Sequence, residues 1–230
     1  MSHREVTILH EKKLVGEKAV EFIKDGMVIG LGTGTTVHHT IVKLGQLVKE
    51  GMEIKGIPTS LQTEELATEL GIPLIDYNEV THIDVAVDGA DEVDANLALI
   101  KGGGGALLRE KIIAKAADTF IVVATPDKMV SKLGAFGLPV EVVPFGIEFT
   151  KHEIEKMGLK PVFRKLGDQP FKTDNDNYIF DCKVPETVDL KEIETDLIQI
   201  PGVVEHGLFV DMATMVITLD EEKNVVSIEK

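Results

Sequence analysis

Short apolar runs alternate with amphipathic stretches through the first half of this chain, and that alternation limits the fold more than any other feature. Leu14, Val15, Ala19, Phe22 and Ile23 recur at helical spacing, and Asp25-Gly26 ends that helix. Residues 27–31 read as a buried strand that runs into Gly32-Thr33-Gly34-Thr35-Thr36, with a helix from about 35 to 50 behind it. Residues 53–57 read as a second strand. Thr59 with Gln62 forms a capping box for a helix that ends near Gly71. Residues 72–75, 83–87 and 97–100 read as short strands, 105–117 as a helix and 119–124 as a strand. Such alternation implies a mostly parallel sheet with helices on both faces, and ligands of such sheets sit beyond the carboxyl ends of the strands. Three motifs fall at strand ends: the Gly-Thr loop, Asp88-Gly89-Ala90-Asp91-Glu92, and Lys101-Gly102-Gly103-Gly104-Gly105.

The pattern changes after about Ser131. Strands over 138–143, 160–164, 178–182 and 203–205, with helices over 146–157 and 188–198, give the order β-α-β-β-α-β of a ferredoxin-like domain. Residues 208–210 and 215–219 read as strands that return to the first sheet. The expected architecture is therefore α/β. A doubly wound, mostly parallel Rossmann-like sheet over residues 1–132, completed by strands in 207–230, carries a smaller ferredoxin-like α+β domain over 133–206. The Asp174-Asn175-Asp176-Asn177 run reads as a turn.

Charge and composition exclude several functions. Lys and Arg number 24 against 39 Asp and Glu, a net −15, and the sequence has no basic stripe. A nucleic-acid partner is therefore not expected, because phosphate neutralisation needs one. No apolar run approaches the ~20 residues that span a bilayer. The polar start of the chain lacks the apolar segment of a secretory signal. With one cysteine, Cys182, no disulfide forms within the chain. These features lead to the expectation of a cytoplasmic protein with no membrane partner.

The Gly-Thr loop joins a strand to a helix, so unpaired N–H groups at the helix start and the hydroxyls of Thr33, Thr35 and Thr36 form a candidate phosphate cradle. A structural tight turn is the alternative. The dinucleotide fingerprint is broken at Thr35, and no Gly-Lys-Ser/Thr follows to make a P-loop. Asp88 and Asp91 could divide proton-transfer work, bind hydroxyls or a divalent cation, or serve as turn and capping residues. Four glycines after Lys101 suit close backbone approach to a ligand, with N–H groups forming an oxyanion nest beside the ammonium. Glu110 is either a general base aimed at that loop or a surface acid favoured by the helix dipole. Adjacent His38 and His39 point about 100° apart on a helix and do not suggest zinc. Cys182 reads as a buried, inert thiol.

Together these segments resemble ribose 5-phosphate isomerase of the A type. Besides the three motifs above, the resemblance rests on Ala106-Leu107-Leu108-Arg109-Glu110-Lys111, Leu138-Pro139-Val140-Glu141-Val142, Thr173-Asp174-Asn175 and Ile200-Pro201-Gly202-Val203-Val204. It implies interconversion of D-ribose 5-phosphate and D-ribulose 5-phosphate in the non-oxidative pentose phosphate pathway, with no metal and no organic cofactor. It makes Glu110 the base and gives Asp88, Asp91 and Lys101 catalytic contacts with the sugar. Lys12, Thr33, Gly34, Thr35, Thr36, Gly89, Ala90, Gly102, Gly103, Gly104 and Lys128 become substrate-binding positions, with Lys13 competing for the role of Lys12. A homodimer or homotetramer is implied as well. The sequence departs from the family pattern at Leu108, Ala135, Gly137 and Asp176. Competing classes are a nicotinamide-dependent oxidoreductase, a sugar-phosphate sensor and a sugar-phosphate deaminase.

Overall fold

The computed structural model describes residues 3–185 and 188–230. Its helices are α1 (His3–Lys18), α2 (Val37–Lys49), α3 (Leu61–Leu70), α4 (Leu107–Ala116), α5 (Ile147–Lys156) and α6 (Leu190–Gln199). The first eight strands are β1 (Val28–Leu31), β2 (Lys55–Pro58), β3 (Ile83–Gly89), β4 (Glu92–Val93), β5 (Leu99–Ile100), β6 (Ala117–Val123), β7 (Leu138–Val142) and β8 (Lys160–Phe163). The rest are β9 (Lys165–Leu166), β10 (Gln169–Pro170), β11 (Tyr178–Lys183), β12 (Val203–His206), β13 (Leu208–Phe209), β14 (Met215–Leu219) and β15 (Val225–Glu229). The chain groups into two compact units: residues to Ala90 with Arg109–Met129 and Asp211–Lys230, and Asp91–Leu108 with Val130–Val210.

The first unit is built on a six-stranded sheet in the order β15-β14-β6-β3-β1-β2. Every pairing is parallel except β14 with β15. The chain leaves β1 for β2 on one side and then returns to lay β3 on the other. This puts the topological switch between β1 and β3, where an open sheet of this kind forms a ligand crevice. One face carries Ile29, Leu31, Val85, Val87, Ile121 and Val123, packed against Val15 and Ala19 of α1, Val37, Ile41 and Leu44 of α2, and Ala67 of α3. Each such side chain contributes about 1.5–3 kcal/mol when fully buried. The other face receives α4. A Cβ on Gly30 would stand 2.4 Å from Ile113 Cγ2 and 2.9 Å from Ala86 Cβ, so glycine at this position lets helix and strand approach.

Several elements differ from the sequence expectation. Residues 72–75 form no ladder strand and make only the isolated bridge Gly56↔Leu74. The helix after β2 is capped by Ser60, whose side chain accepts the Thr63 N–H. Thr59 does not cap it, because its hydroxyl donates to the Leu31 carbonyl at 3.0 Å. Strand β14 does return to the first sheet, but β13 does not. It pairs with β5, Leu208 opposite Ile100, in a three-stranded sheet with β4. That pairing groups residues 91–108 with the second unit. Strand β15 was not expected, since its alternation is short and most of its residues are exposed.

In the second unit β7, α5, β8, β11, α6 and β12 follow one another, with the β9–β10 hairpin inserted after β8. The four main strands form an antiparallel sheet in the order β12-β7-β11-β8, the ferredoxin-like arrangement. Leu138, Val140, Val142, Phe180 and Cys182 pack with Ile154 of α5 and Ile193 and Leu197 of α6. Asp176 lies at φ +61°, in the left-handed region, where a side chain is strained.

Candidate active site

In the first unit the loop after β1 closes on the end of β3. The Gly32 N–H donates to the Val87 carbonyl at 2.9 Å. Asp88 Oδ1 accepts the Thr33 N–H at 3.0 Å and the Gly89 N–H at 2.7 Å. Asp88 is only 3% exposed, and these main-chain donors hold its carboxylate in one orientation. A Cβ on Gly32 would stand 2.3 Å from Asp88 Oδ1 and 2.6 Å from Asp88 Cα. The close approach of loop and strand therefore requires glycine at position 32.

The Thr33 hydroxyl is turned away from the loop's outer surface. It lies 2.8 Å from Thr59 Oγ1, 2.7 Å from Ser60 Oγ and 3.1 Å from Thr63 Oγ1. This cluster ties the loop after β1 to the start of α3. The outward side of the loop is Gly34, at φ +126°, with exposed Thr35 and the first turn of α2. Lys12 Nζ donates to Thr35 Oγ1 at 2.8 Å, whereas Lys13 Nζ lies 3.9 Å from Glu17. The structure thus brings Lys12, and not Lys13, to the loop. A cavity of about 610 Å³ opens beside it, lined in part by Gly34, Thr35, His38 and Gln62.

Glu110 lies in the first turn of α4 and is 4% exposed. A surface acid is therefore the wrong reading of this residue. Ile113, one turn further on, packs on Gly30, so Glu110 lies on the Asp88 face of the sheet, toward the carboxyl ends of the strands. Lys128 closes the turn that follows β6, also at a carboxyl end.

The second unit carries the glycine run. The Lys101 N–H donates to the Gly207 carbonyl at 2.8 Å. Its side chain is 2% exposed, with the ammonium 5.5 Å from the centre of the Phe209 ring, a cation–π geometry. Asp91 Oδ2 accepts the Gly103 N–H at 2.8 Å. Glu92, beside the aspartates in sequence, serves a different purpose. Its two carboxylate oxygens accept the Gly134 and Phe136 N–H groups, each at 2.6 Å, and anchor the loop that contains Ala135 and Gly137.

The motifs are distributed over the two units in a fixed way. Gly34, Thr35, Asp88, Gly89, Ala90, Glu110 and Lys128 belong to the first, and Asp91, Lys101, Gly102, Gly103 and Gly104 to the second. Among the described residues no cluster of His, Cys, Asp and Glu could hold a metal ion, and no helix is long and apolar enough to cross a membrane. His38 and His39 meet edge to face with ring centres 5.6 Å apart. Burial first, then the neighbouring His38, hold His39 below the ordinary imidazole value. Burial, with a smaller push from Asp181, raises the Cys182 thiol to about 12, which fits an inert core residue.

The model of one protein family, ribose 5-phosphate isomerase A (phosphoriboisomerase A), matches residues 55–223. The chain belongs to that family. It is 49% identical over 215 residues to ribose-5-phosphate isomerase A 1 of Oceanobacillus iheyensis, covering 93% of this chain and 96% of that protein. Identity to ribose-5-phosphate isomerase A of Listeria monocytogenes is 46% over 224 residues, covering 97% of this chain and 100% of the relative. A D-ribose-5-phosphate isomerase solved in complex with phospho-erythronic acid superposes with a TM-score of 0.91 at 43% identity, over 96% of this chain and 98% of that one. Ribose 5-phosphate isomerase A of Methanocaldococcus jannaschii gives 0.90 at 39% identity, over 96% and 99%.

Within this member of the ribose 5-phosphate isomerase A family, sequence reasoning missed the hydroxyl cluster of Thr59, Ser60 and Thr63. Their spacing signals a helix cap, and one of them is the cap. Nothing in the spacing says that the loop 27 residues earlier places Thr33 against Ser60.

Proposed function

We propose Glu110 as the base with which this chain, an aldose–ketose isomerase of the ribose 5-phosphate isomerase A family, interconverts D-ribose 5-phosphate and D-ribulose 5-phosphate. The observation that carries the assignment is a glutamate only 4% exposed in the first turn of α4, on the sheet face that bears Asp88. The carboxylate takes the proton from C2 of the open-chain aldose, the hydroxyl proton on O2 passes to O1 in the enediolate, and the carboxylate returns its proton to C1, which leaves the ketose with its carbonyl at C2. Such a positioned base contributes roughly 10²–10⁴-fold.

The remaining residues divide the work of binding and charge stabilisation. The Lys101 ammonium and the N–H groups of Gly102 and Gly104 meet the developing oxyanion, each such donor contributing roughly 10²–10³-fold, while Gly103, whose N–H donates to Asp91, holds the loop against that carboxylate. Asp88 assists ring opening, Asp91 holds sugar hydroxyls, and the main chain of Gly89 and Ala90 borders the sugar. Gly34, Thr35 and Thr36, with Lys12 and Lys128, hold the phosphate, whose binding orients the reacting carbons. Thr33 shapes the cradle from within, since its hydroxyl is held by Thr59 and Ser60 and its N–H by Asp88. The phospho-erythronic acid bound by a relative supports a site that takes both a phosphate and an oxyanion. It combines a phosphate with a carboxylate, a planar two-oxygen anion like the enediolate.

The reading includes a cytoplasmic homodimer or homotetramer, which light scattering tests, and turnover without metal or organic cofactor. Purified protein mixed with D-ribose 5-phosphate in EDTA should form D-ribulose 5-phosphate rapidly. Absence of turnover from folded protein, or ammonia release from an amino-sugar phosphate, would overturn it.

A further inference from the structure

The side chain of Arg164 grips the glycine run from behind. Arg164 follows β8, and its side chain is 12% exposed. One terminal nitrogen donates to the carbonyls of Gly102 at 2.8 Å and Gly103 at 3.2 Å. The Arg164 Nε donates to Asp181 Oδ2 at 2.9 Å, and the second terminal nitrogen pairs with Asp181 Oδ1. This is a bidentate fork that fixes the guanidinium plane. The β9–β10 hairpin returns the chain so that the Phe171 N–H donates to the Arg164 carbonyl at 3.1 Å. The Phe171 ring then lies 5.6 Å from the guanidinium carbon. A Cβ on Gly105 would stand 2.4 Å from that ring.

The geometry has a consequence for the N–H groups on the other side. In a planar trans peptide the C=O and N–H point in opposite directions. Arg164 holds the carbonyl of the Gly102–Gly103 peptide while Asp91 Oδ2 holds its N–H at 2.8 Å, so the two side chains grip one peptide from opposite sides. The next peptide has its carbonyl on Arg164 too, which turns the N–H of exposed Gly104 away from the guanidinium. A glycine run would otherwise sample many orientations. Here the Gly105 N–H closes a turn on the Gly102 carbonyl at 3.0 Å, and Arg164 is the side chain that holds two consecutive peptides by their carbonyls.

We propose that Arg164, held by Asp181 and Phe171, is a positioning residue for the isomerisation: it sets the direction in which the glycine run presents the Gly104 N–H to the enediolate oxygen. The inference rests on the oxyanion role given above to that run. All three Arg164 guanidinium nitrogens are engaged by protein oxygens, so its removal should affect the transition state more than ground-state binding.

The test is steady-state kinetics of Arg164→Ala beside wild type, with melting temperature recorded for both. Wild-type turnover in the same buffer checks the underlying isomerase reading separately. We expect kcat to fall about 10²-fold, the cost of about 1 Å of misplacement, with KM little changed. Inhibition by phospho-erythronic acid should weaken in step with kcat, and added guanidinium should restore part of the rate. Arg164→Lys, which keeps the charge but not the fork, should remain impaired. A folded Arg164→Ala with wild-type kcat would overturn the proposal. So would equal losses in kcat and melting temperature without guanidinium rescue. Should Arg164→Ala not fold, Asp181→Asn decides: a lower kcat at unchanged melting temperature supports the proposal, and an unchanged kcat overturns it.

Discussion

Replacing Gly32 by alanine adds one methyl group at the most crowded point of the first unit. Gly32 is not at a positive φ, so the backbone itself tolerates the change. The obstacle is Asp88, whose Oδ1 and Cα would lie 2.3 and 2.6 Å from the new Cβ. A side-chain rotation clears the first contact but not the second, so the loop and the end of β3 must separate. Overpacking of this kind costs about 1–3 kcal/mol, or about 2–12 °C in Tm at 2–4 °C per kcal/mol for a chain of this size. The separation also loosens the bonds that Asp88 receives from Thr33 and Gly89, and about 1 Å of misplacement costs about 10²-fold in rate. Gly26→Ala is the control. That glycine is at φ +86° with nothing within 4 Å of a Cβ, so alanine there strains the backbone by about 1–2 kcal/mol far from Asp88. Calorimetry with initial-rate kinetics should show both variants less stable and only Gly32→Ala strongly impaired. Equal kcat/KM for the two would refute the argument that Gly32 sets the position of Asp88.

Thr33→Val should lower stability by about 1–3 kcal/mol, because Thr59, Ser60 and Thr63 lose a buried partner, while KM rises less than in Thr35→Val; denaturant titration and kinetics check both. The Cys182 thiol, raised from 9.0 to about 12, should resist alkylation at pH 8 until the protein is unfolded. By linkage its contribution to stability is fully present below pH 9.0 and is lost as pH rises toward about 12, which the Cys182→Ala variant should not show in thermal melts. Asp176→Gly should raise stability by about 1 kcal/mol by relieving the left-handed strain at φ +61°, and a lower Tm would contradict that.

Much of the fold was legible because local signals and tertiary structure agree. Strand β1 and the buried parts of β3 (Val85 to Val87) and β6 (Phe120 to Val123) are continuous apolar runs, as segments buried on both faces must be. The Gly-Thr loop marks the carboxyl end of β1, whereas the glycine run after Lys101 follows β5 of the small antiparallel sheet and not a strand of the parallel one. What escaped depends on partners distant in sequence. Leu208 and Phe209 are equally apolar whether they join the large sheet or pair with β5. Val225 to Glu229 form an exposed edge strand whose pattern carries little hydrophobic signal. Glu92 looks like a third acid of the Asp88 motif, yet it closes a loop more than 40 residues away. Glu110 shows the same limit from the other side. Its spacing suits a surface acid, and only the packing of α4 on Gly30 buries it. Arg164 has no motif of its own, because its role depends on carbonyls some 60 residues earlier in the chain.

Glu110 is the residue proposed to move the proton. The most direct test is the kcat of Glu110→Gln in EDTA, measured with its affinity for D-ribose 5-phosphate. Glutamine keeps the size and removes the base. We expect a kcat lower by roughly 10²–10⁴-fold, with substrate binding and melting temperature close to wild type. A Glu110→Gln enzyme that turns over like wild type, or one that loses binding and rate equally while folded, would remove Glu110 from that role.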